Sequence, residues 1–312
     1  MTVAGRVCSP GAILIALPLL LAQAQPPRFR SGIDLVTVDV LVTDGTRAVT
    51  GLAADDFEVR DSGVVQTIDS ISVDTVPVSM LLALDISNSV EGTTLAHLKD
   101  AASAAVGALA KDDRAAILTF ADAVTLRAPW GTPSVAMHTA IAGATAGGST
   151  SLYDAAYTAL TLRDDQPGRR PLVVLFSDGG DTSSWLPARA VLERARRSDA
   201  VVYLVALRRP RIDTRLEYRS GVELWSGDGG FPPETPPVVE LSAMTGGRML
   251  IADRPERLRD AFSAAVTQFR SRYLITFRPQ GVDATGWHPI EVRLKGRGAR
   301  GATVTARRGY SR

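Results

Sequence analysis

Apolar and polar residues alternate with period two along residues 33–42 (IDLVTVDVLV), the pattern of a half-buried strand, and Asp44-Gly45 then marks a hairpin turn. Residues 57–60, 64–68 and 71–73 read as further short strands, separated by Asp-Ser-Gly and Asp-Ser turns. The pattern returns near the other end, at residues 273–277 (YLITF), 288–294 (HPIEVRL) and 303–306, with Gly-rich turns between. Neither end has enough strands to cover its own apolar face. We therefore expect residues 29–75 plus 272–312 to form one discontinuous, β-sandwich-like domain.

Between the ends the periodicity changes. Residues 76–84 (VPVSMLLAL) are almost continuously apolar, as in a strand covered on both faces, whereas Leu95, Leu98, Ala102, Ala105, Val106 and Leu109 follow the three- and four-residue spacing of an amphipathic helix. Residues 115–120 and 124–128 predict an antiparallel hairpin. Buried strands are expected at 171–176 and 201–207, and a short one at 248–251. Helices are expected over 134–145, 151–162, 187–197, 238–244 and 255–270. This alternation predicts an α/β domain over 76–271, a doubly wound and mostly parallel sheet. Residues 208–237, rich in Gly, Pro and Arg, form an insertion of a length that is either functional or mobile.

Composition narrows the class. Apolar residues make up 45% and charged residues 22% of 312, the balance of a folded globular chain. Formal charge is only +2, and the 35 basic residues, all arginine except Lys99, Lys111 and Lys295, are dispersed, so no nucleic-acid surface is indicated. Residues 1–24 read as a signal peptide: Arg6 precedes an apolar stretch over 12–22, and Ala22-Gln23-Ala24 has the small-x-small form of a cleavage site. Pro18 interrupts that stretch, which falls short of the ~20 apolar residues of a membrane span. The expectation is a secreted or periplasmic protein with no stable membrane span in the mature chain; an uncleaved anchor is the alternative. Cys8 is the only cysteine, so the mature chain has no disulfide.

Candidate chemistry gathers where the parallel strands should end, the edge at which open α/β sheets bind ligands. The first buried strand runs into Asp85-Ile86-Ser87-Asn88-Ser89, whose carboxylate and two hydroxyls at alternate positions are hard oxygen donors suited to Mg²⁺, Mn²⁺ or Ca²⁺. Gly147-Gly148-Ser149-Thr150 brings a threonine on a second loop, and Phe176-Ser177-Asp178-Gly179-Gly180 a second carboxylate on a third. Taken singly, each motif also reads as a helix cap or a turn.

Together these residues resemble the metal-ion-dependent adhesion site of von Willebrand factor type A domains. Asp85, Ser87 and Ser89 match the first motif of that family, Thr150 its threonine motif, with Leu152 and Ala155 in the usual following places, and Asp178 its last aspartate. The resemblance covers about 77–269, including the closing stretch LSAMTGGRM at 241–249. Upstream Gly51-Leu52 and Asp56-Phe57-Glu58-Val59, with the terminal Arg308-Gly309-Tyr310, resemble a bacterial secreted subfamily called VWFA-related. Ser149 stands where a glycine is common, and the insertion is longer than usual. The resemblance implies a Mg²⁺ site, with Mn²⁺ or Ca²⁺ as alternatives, held by Asp85, Ser87, Ser89, Thr150 and Asp178, directly or through water. It also implies a protein ligand presenting Asp or Glu.

Other chemistry finds less support. His97, His138 and His288 are scattered, which with no mature cysteine disfavours a zinc site. No nucleophile elbow and no phosphate-binding glycine fingerprint follows a strand. Asp112-Asp113 and Asp164-Asp165 read as solvated turns, and Asp181, Thr182 and Ser183 as turn residues or part of a ligand rim. Trp130, Trp185 and Trp225 read as scattered packing or as a contact surface near the loops. The sequence therefore predicts an exported, non-enzymatic, metal-dependent adhesion module. A metal-dependent hydrolase using the same carboxylates, and a structural module with a vestigial site, are the alternatives.

Overall fold

A computed structural model describes residues 1, 35–73, 75–162, 164, 167–207, 222–224, 237–296 and 301–312. Residues 2–24 of the expected signal peptide, Trp225 and nearly all of the 208–237 insertion lie outside the described residues.

The apolar run at the centre of the chain becomes β6 (Val78–Asp85), buried along its whole length. It lies between β7 (Arg114–Phe120) and β9 (Arg170–Ser177), parallel to both. The sheet continues through β10 (Val201–Leu207) and β12 (Met249–Ala252), again in parallel. Antiparallel β8 (Val124–Ala128) and β11 (Val222–Leu224) close its two edges. The backbone of β11 comes from the segment expected to be all loop. Helices α1 (Thr93–Gly107), α2 (Ser134–Ala142) and α6 (Leu258–Arg270) bury Leu98, Met137 and Phe262 on one face of the sheet. Helices α3 (Leu152–Thr161), α4 (Ala188–Arg196) and α5 (Pro237–Met244) bury Leu160, Val191 and Leu241 on the other. This is the doubly wound α/β architecture expected from the alternation of buried strands and amphipathic helices.

The chain ends meet in two antiparallel sheets. In one, β1 (Val36–Asp44) lies between β13 (Tyr273–Phe277) and β15 (Ala302–Thr305), β5 (Ile68–Val73) flanks β13, and β2 (Arg47–Ala48) folds back on β1. In the other, β14 (Trp287–Leu294) lies between β3 (Phe57–Asp61) and β16 (Gly309–Ser311), with β4 (Val64–Gln66) outside β3. Val38, Val40, Phe57, Val59, Ile275 and Phe277 fill the core of this unit. One detail differs from expectation: Asp69-Ser70 makes no turn. The strand expected over 64–68 ends at Gln66, and β5 runs unbroken in the other sheet. Ile68 faces Phe277 and Ser70 faces Thr276, so Asp69 is taken up by a bulge.

Residues 34–312 make one compact unit, joined at the amino edge of the parallel sheet by buried arginines. Arg170, at the start of β9, donates to the Asp39 carboxylate on β1 and to the Phe269 carbonyl (3.1 Å), and its guanidinium lies 4.5 Å over the Phe269 ring. Fully buried Arg272 donates to the Tyr203 hydroxyl (3.2 Å), the Asp39 carbonyl (3.3 Å) and the Gly246 carbonyl. The Thr-Gly-Gly turn is dictated by close approach, since a Cβ at Gly247 would strike the Val202 carbonyl. Asp113 and Asp164, read from sequence as solvated turn residues, are instead buried ion-pair partners. Asp113 meets Arg270, and Asp164 meets Arg114 at 2.5 Å and the Ser79 hydroxyl at 2.6 Å. Their partners come from elements distant in sequence, which local composition does not reveal.

Candidate metal centre

Three loops meet at the carboxyl edge of the parallel sheet: those that follow β6 and β9, neighbouring strands running the same way, and between them the α2–α3 connection that carries Thr150. Backbone hydrogen bonds tie them together. Ile86 N–H donates to the Phe120 carbonyl (2.9 Å), Asn88 N–H to Gly148 (2.9 Å) and Gly147 N–H to Ile86 (2.8 Å). Thr182 and Ser183 both donate to the Thr150 carbonyl, at 2.9 and 3.1 Å. The middle loop is held further by Asp122, whose carboxylate accepts Ser149 N–H at 2.7 Å, and by the Thr182 hydroxyl, which accepts Thr150 N–H at 2.8 Å. Gly148 has φ +81°, and a Cβ there would overlap the Asp122 carboxylate, so glycine is required on two counts.

The side chains of the first and third loops form a continuous polar string. Asp85 is fully buried; its Oδ1 accepts Ser87 N–H (2.9 Å) and its Oδ2 accepts the Ser177 hydroxyl (2.7 Å). Ser87 Oγ and Ser89 Oγ are 2.9 Å apart, and the Ser89 hydroxyl donates to Asp178 Oδ1 at 2.7 Å. Thr150, 6% exposed, is placed between these loops by its backbone. Among the described residues its hydroxyl makes no hydrogen bond to the other four. Burial pushes the Asp85 carboxyl above the ordinary aspartate range, and the charge of Asp178 adds to this, while the hydrogen bonds from Ser87 and Ser177 oppose it.

None of the five side chains serves as the cap that its motif also allowed. Helix α3 starts after Ser151, without a side-chain cap, and the N-cap of α1 is Gly92. Ser87 begins a 3-10 turn but makes no capping bond. Among the described residues no three His, Cys, Asp or Glu side chains converge. The donor set is two carboxylates with three hydroxyls, all hard oxygens, and Ser177 adds a hydroxyl on the far side of Asp85. Ser177 was not singled out in sequence, although it directly precedes Asp178; only the register that sets β9 beside β6 shows that it faces Asp85. The same holds for Asp122, whose part depends on the β7–β8 turn lying beneath the middle loop.

The tryptophans separate. Trp130 packs half-buried against the α3 side of the sheet, whereas Trp185, on the third loop beyond Asp178, is 93% exposed.

A doubly wound sheet with such an oxygen cluster at its carboxyl edge defines a class of ion- or ligand-binding α/β domain. The model of the von Willebrand factor type A domain matches residues 80–180, the stretch holding all five candidate donors. Among solved structures, the von Willebrand factor type A protein from Catenulispora acidiphila is 13% identical, with TM-score 0.50 over 87% of this chain and 71% of that one. Proximal thread matrix protein 1 of the mussel byssus, solved with zinc occupying its MIDAS motif, is 12% identical, with TM-score 0.48 over 64% of this chain and 49% of that one. BatB from Bacteroides thetaiotaomicron is 17% identical, with TM-score 0.46 over 62% and 98%. At these identities the likeness is one of fold, and the chain spans about half the length of the mussel protein. No curated protein sequence matches the chain.

Proposed function

We propose that the carboxyl-edge cluster is a divalent-cation site and that the chain is an exported, non-enzymatic module which captures an acidic group on a protein partner. The observation behind this reading is the string Asp85–Ser87–Ser89–Asp178, two carboxylates linked through hydroxyls on loops fixed to one another. Asp85 and Asp178 would hold the ion and balance its charge, with Ser87, Ser89 and Thr150 as neutral donors. Bound Mg²⁺ supplies a Lewis-acidic centre with an exchangeable position for a carboxylate from outside. Ser177 and Ser87 N–H fix the Asp85 carboxylate, and Asp122 and Thr182 fix the loop carrying Thr150.

Export rests on the signal-like residues 1–24; no described helix is long and apolar enough to cross a membrane. Binding is favoured over hydrolysis because the histidines available as general bases are engaged or placed elsewhere. His288 is buried in the sandwich beside Asp61, His97 lies beside Glu256, and His138 is on α2.

Calorimetric titration of the purified chain with MgCl₂ and MnCl₂ tests the site, with thermal melts to confirm folding. We expect binding to the wild type, and none to folded Asp85→Ala or Asp178→Ala. Unchanged binding in both variants would overturn the assignment.

A further inference from the structure

We infer that Trp185 is the second contact of the partner site, and that the partner presents an extended segment with an apolar side chain two residues from the carboxylate that reaches the cluster. The inference rests on the reading of the carboxyl edge as a cation site.

The loop bearing Trp185 is built for rigidity. The first turn of α3 leaves backbone N–H groups without helical partners, and the loop supplies them. Tyr153 N–H donates to Asp181 Oδ1 (3.2 Å) and to Ser184 Oγ (3.0 Å), and Asp154 N–H donates to Ser184 Oγ (3.1 Å). In return the Asp154 carboxylate accepts both Trp185 N–H and Leu186 N–H, each at 2.9 Å. The backbone on both sides of the indole is thus anchored to the helix that starts just after Thr150. The indole itself is 93% exposed. An exposed aromatic ring on a preorganised backbone loses little further entropy on contact, and tryptophan is the side chain most enriched among residues that dominate interfaces.

Position sets the spacing. Asp154, whose carboxylate holds the Trp185 and Leu186 N–H groups, lies three residues along the helix from Ser151, a rise of roughly 5 Å, so the loop is anchored to the helical turn that follows Thr150. In an extended segment residues i and i+2 share a face about 7 Å apart, which lets one side chain reach the cluster while the other covers the indole. Chemistry sets the occupant. The carboxylates that anchor the loop, Asp154 and Asp181, are engaged with N–H and hydroxyl groups of the loop and helix, so we take the ring to offer an apolar face and not half of a charged pair.

Arrays of short synthetic peptides provide the test. Each has one Asp in a Gly/Ser background, with Ser, Leu, Phe or Arg two residues after it or two before it, and is probed with the full chain in millimolar Mg²⁺ or in EDTA. We expect Mg²⁺- and Asp-dependent capture, with Leu and Phe peptides retained about fivefold better than Ser peptides. Trp185→Ala should remove that preference while keeping the dependence on Asp and Mg²⁺, and Trp185→Phe should retain most of it. Equal melting temperatures for the variants would confirm that folding is intact, as expected for so exposed a side chain. A preference for Leu and Phe that survives in Trp185→Ala, its absence from the wild type, or a preference for Arg, would overturn the inference and leave the cation site standing. Loss of all Asp- and Mg²⁺-dependent capture in the wild type would overturn the reading beneath it as well.

Discussion

The two ends of the parallel sheet treat aspartate in opposite ways. At the amino edge Asp39, Asp113 and Asp164 are matched by Arg170, Arg270 and Arg114, guanidinium against carboxylate, in contacts that join strands, helix and sandwich. At the carboxyl edge Asp85 is as deeply buried, yet its described partners are the Ser87 N–H and the Ser177 hydroxyl, with a second aspartate three residues along the same polar string. A buried carboxylate is tolerable when a cation balances it. The first edge contains its cations within the chain, whereas the second, on the function proposed above, would take one from solution. The difference lies not in residue type but in what the fold places opposite.

That contrast can be broken by substitution. The largest effect is expected at the junction: Asp39→Ala leaves the Arg170 guanidinium buried without its carboxylate and should cost about 3–5 kcal/mol in chemical denaturation, with Mg²⁺ affinity unchanged. A cost of less than about 1 kcal/mol would mean that the pair does not hold the sandwich. Asp85→Asn should behave in the opposite sense. In chelator it should be as stable as the wild type or more so, because a poorly compensated buried charge has gone. It should also lose the metal-linked gain, about 2.7 kcal/mol at a hundredfold excess of Mg²⁺ over Kd. A large loss of stability in chelator would place Asp85 in the same role as Asp39. The smallest effect sharpens the comparison within one edge. Gly148→Ala should cost about 1–3 kcal/mol and weaken Mg²⁺ binding, through its positive φ and its overlap with Asp122. Gly45→Ala, with positive φ but open space around it, should leave Mg²⁺ binding untouched.

Much of this was legible in the chain because it is written locally. The unbroken apolar run of β6 and the three- and four-residue spacing of α1 signal strand and helix whatever lies beyond them. Asp85, Ser87 and Ser89 sit two apart on one loop, so their association needs no knowledge of the rest. What was not legible depends on distant partners. Asp113 and Asp164 resemble turn residues until Arg270 and Arg114 arrive from elsewhere. Ser177 looks like the last residue of a strand until β9 is set beside β6. Asp69 looks like a turn until the register of β5 against β13 converts it into a bulge. The exposure of Trp185 and the burial of Trp130 follow only from where their loops land.

The short link between α6 and β13 has a mechanical consequence. Only Ser271 and Arg272 separate the helix from the strand, and Arg272 is fixed to Tyr203 and Gly246. Because β1 and β13 are antiparallel, with Val36 opposite Phe277 and Val40 opposite Tyr273, a pull on Val36 resisted at Arg272 loads the two strands from opposite ends. The ladder is then strained in shear, its bonds sharing the tension together instead of parting one after another, a geometry suited to bearing force.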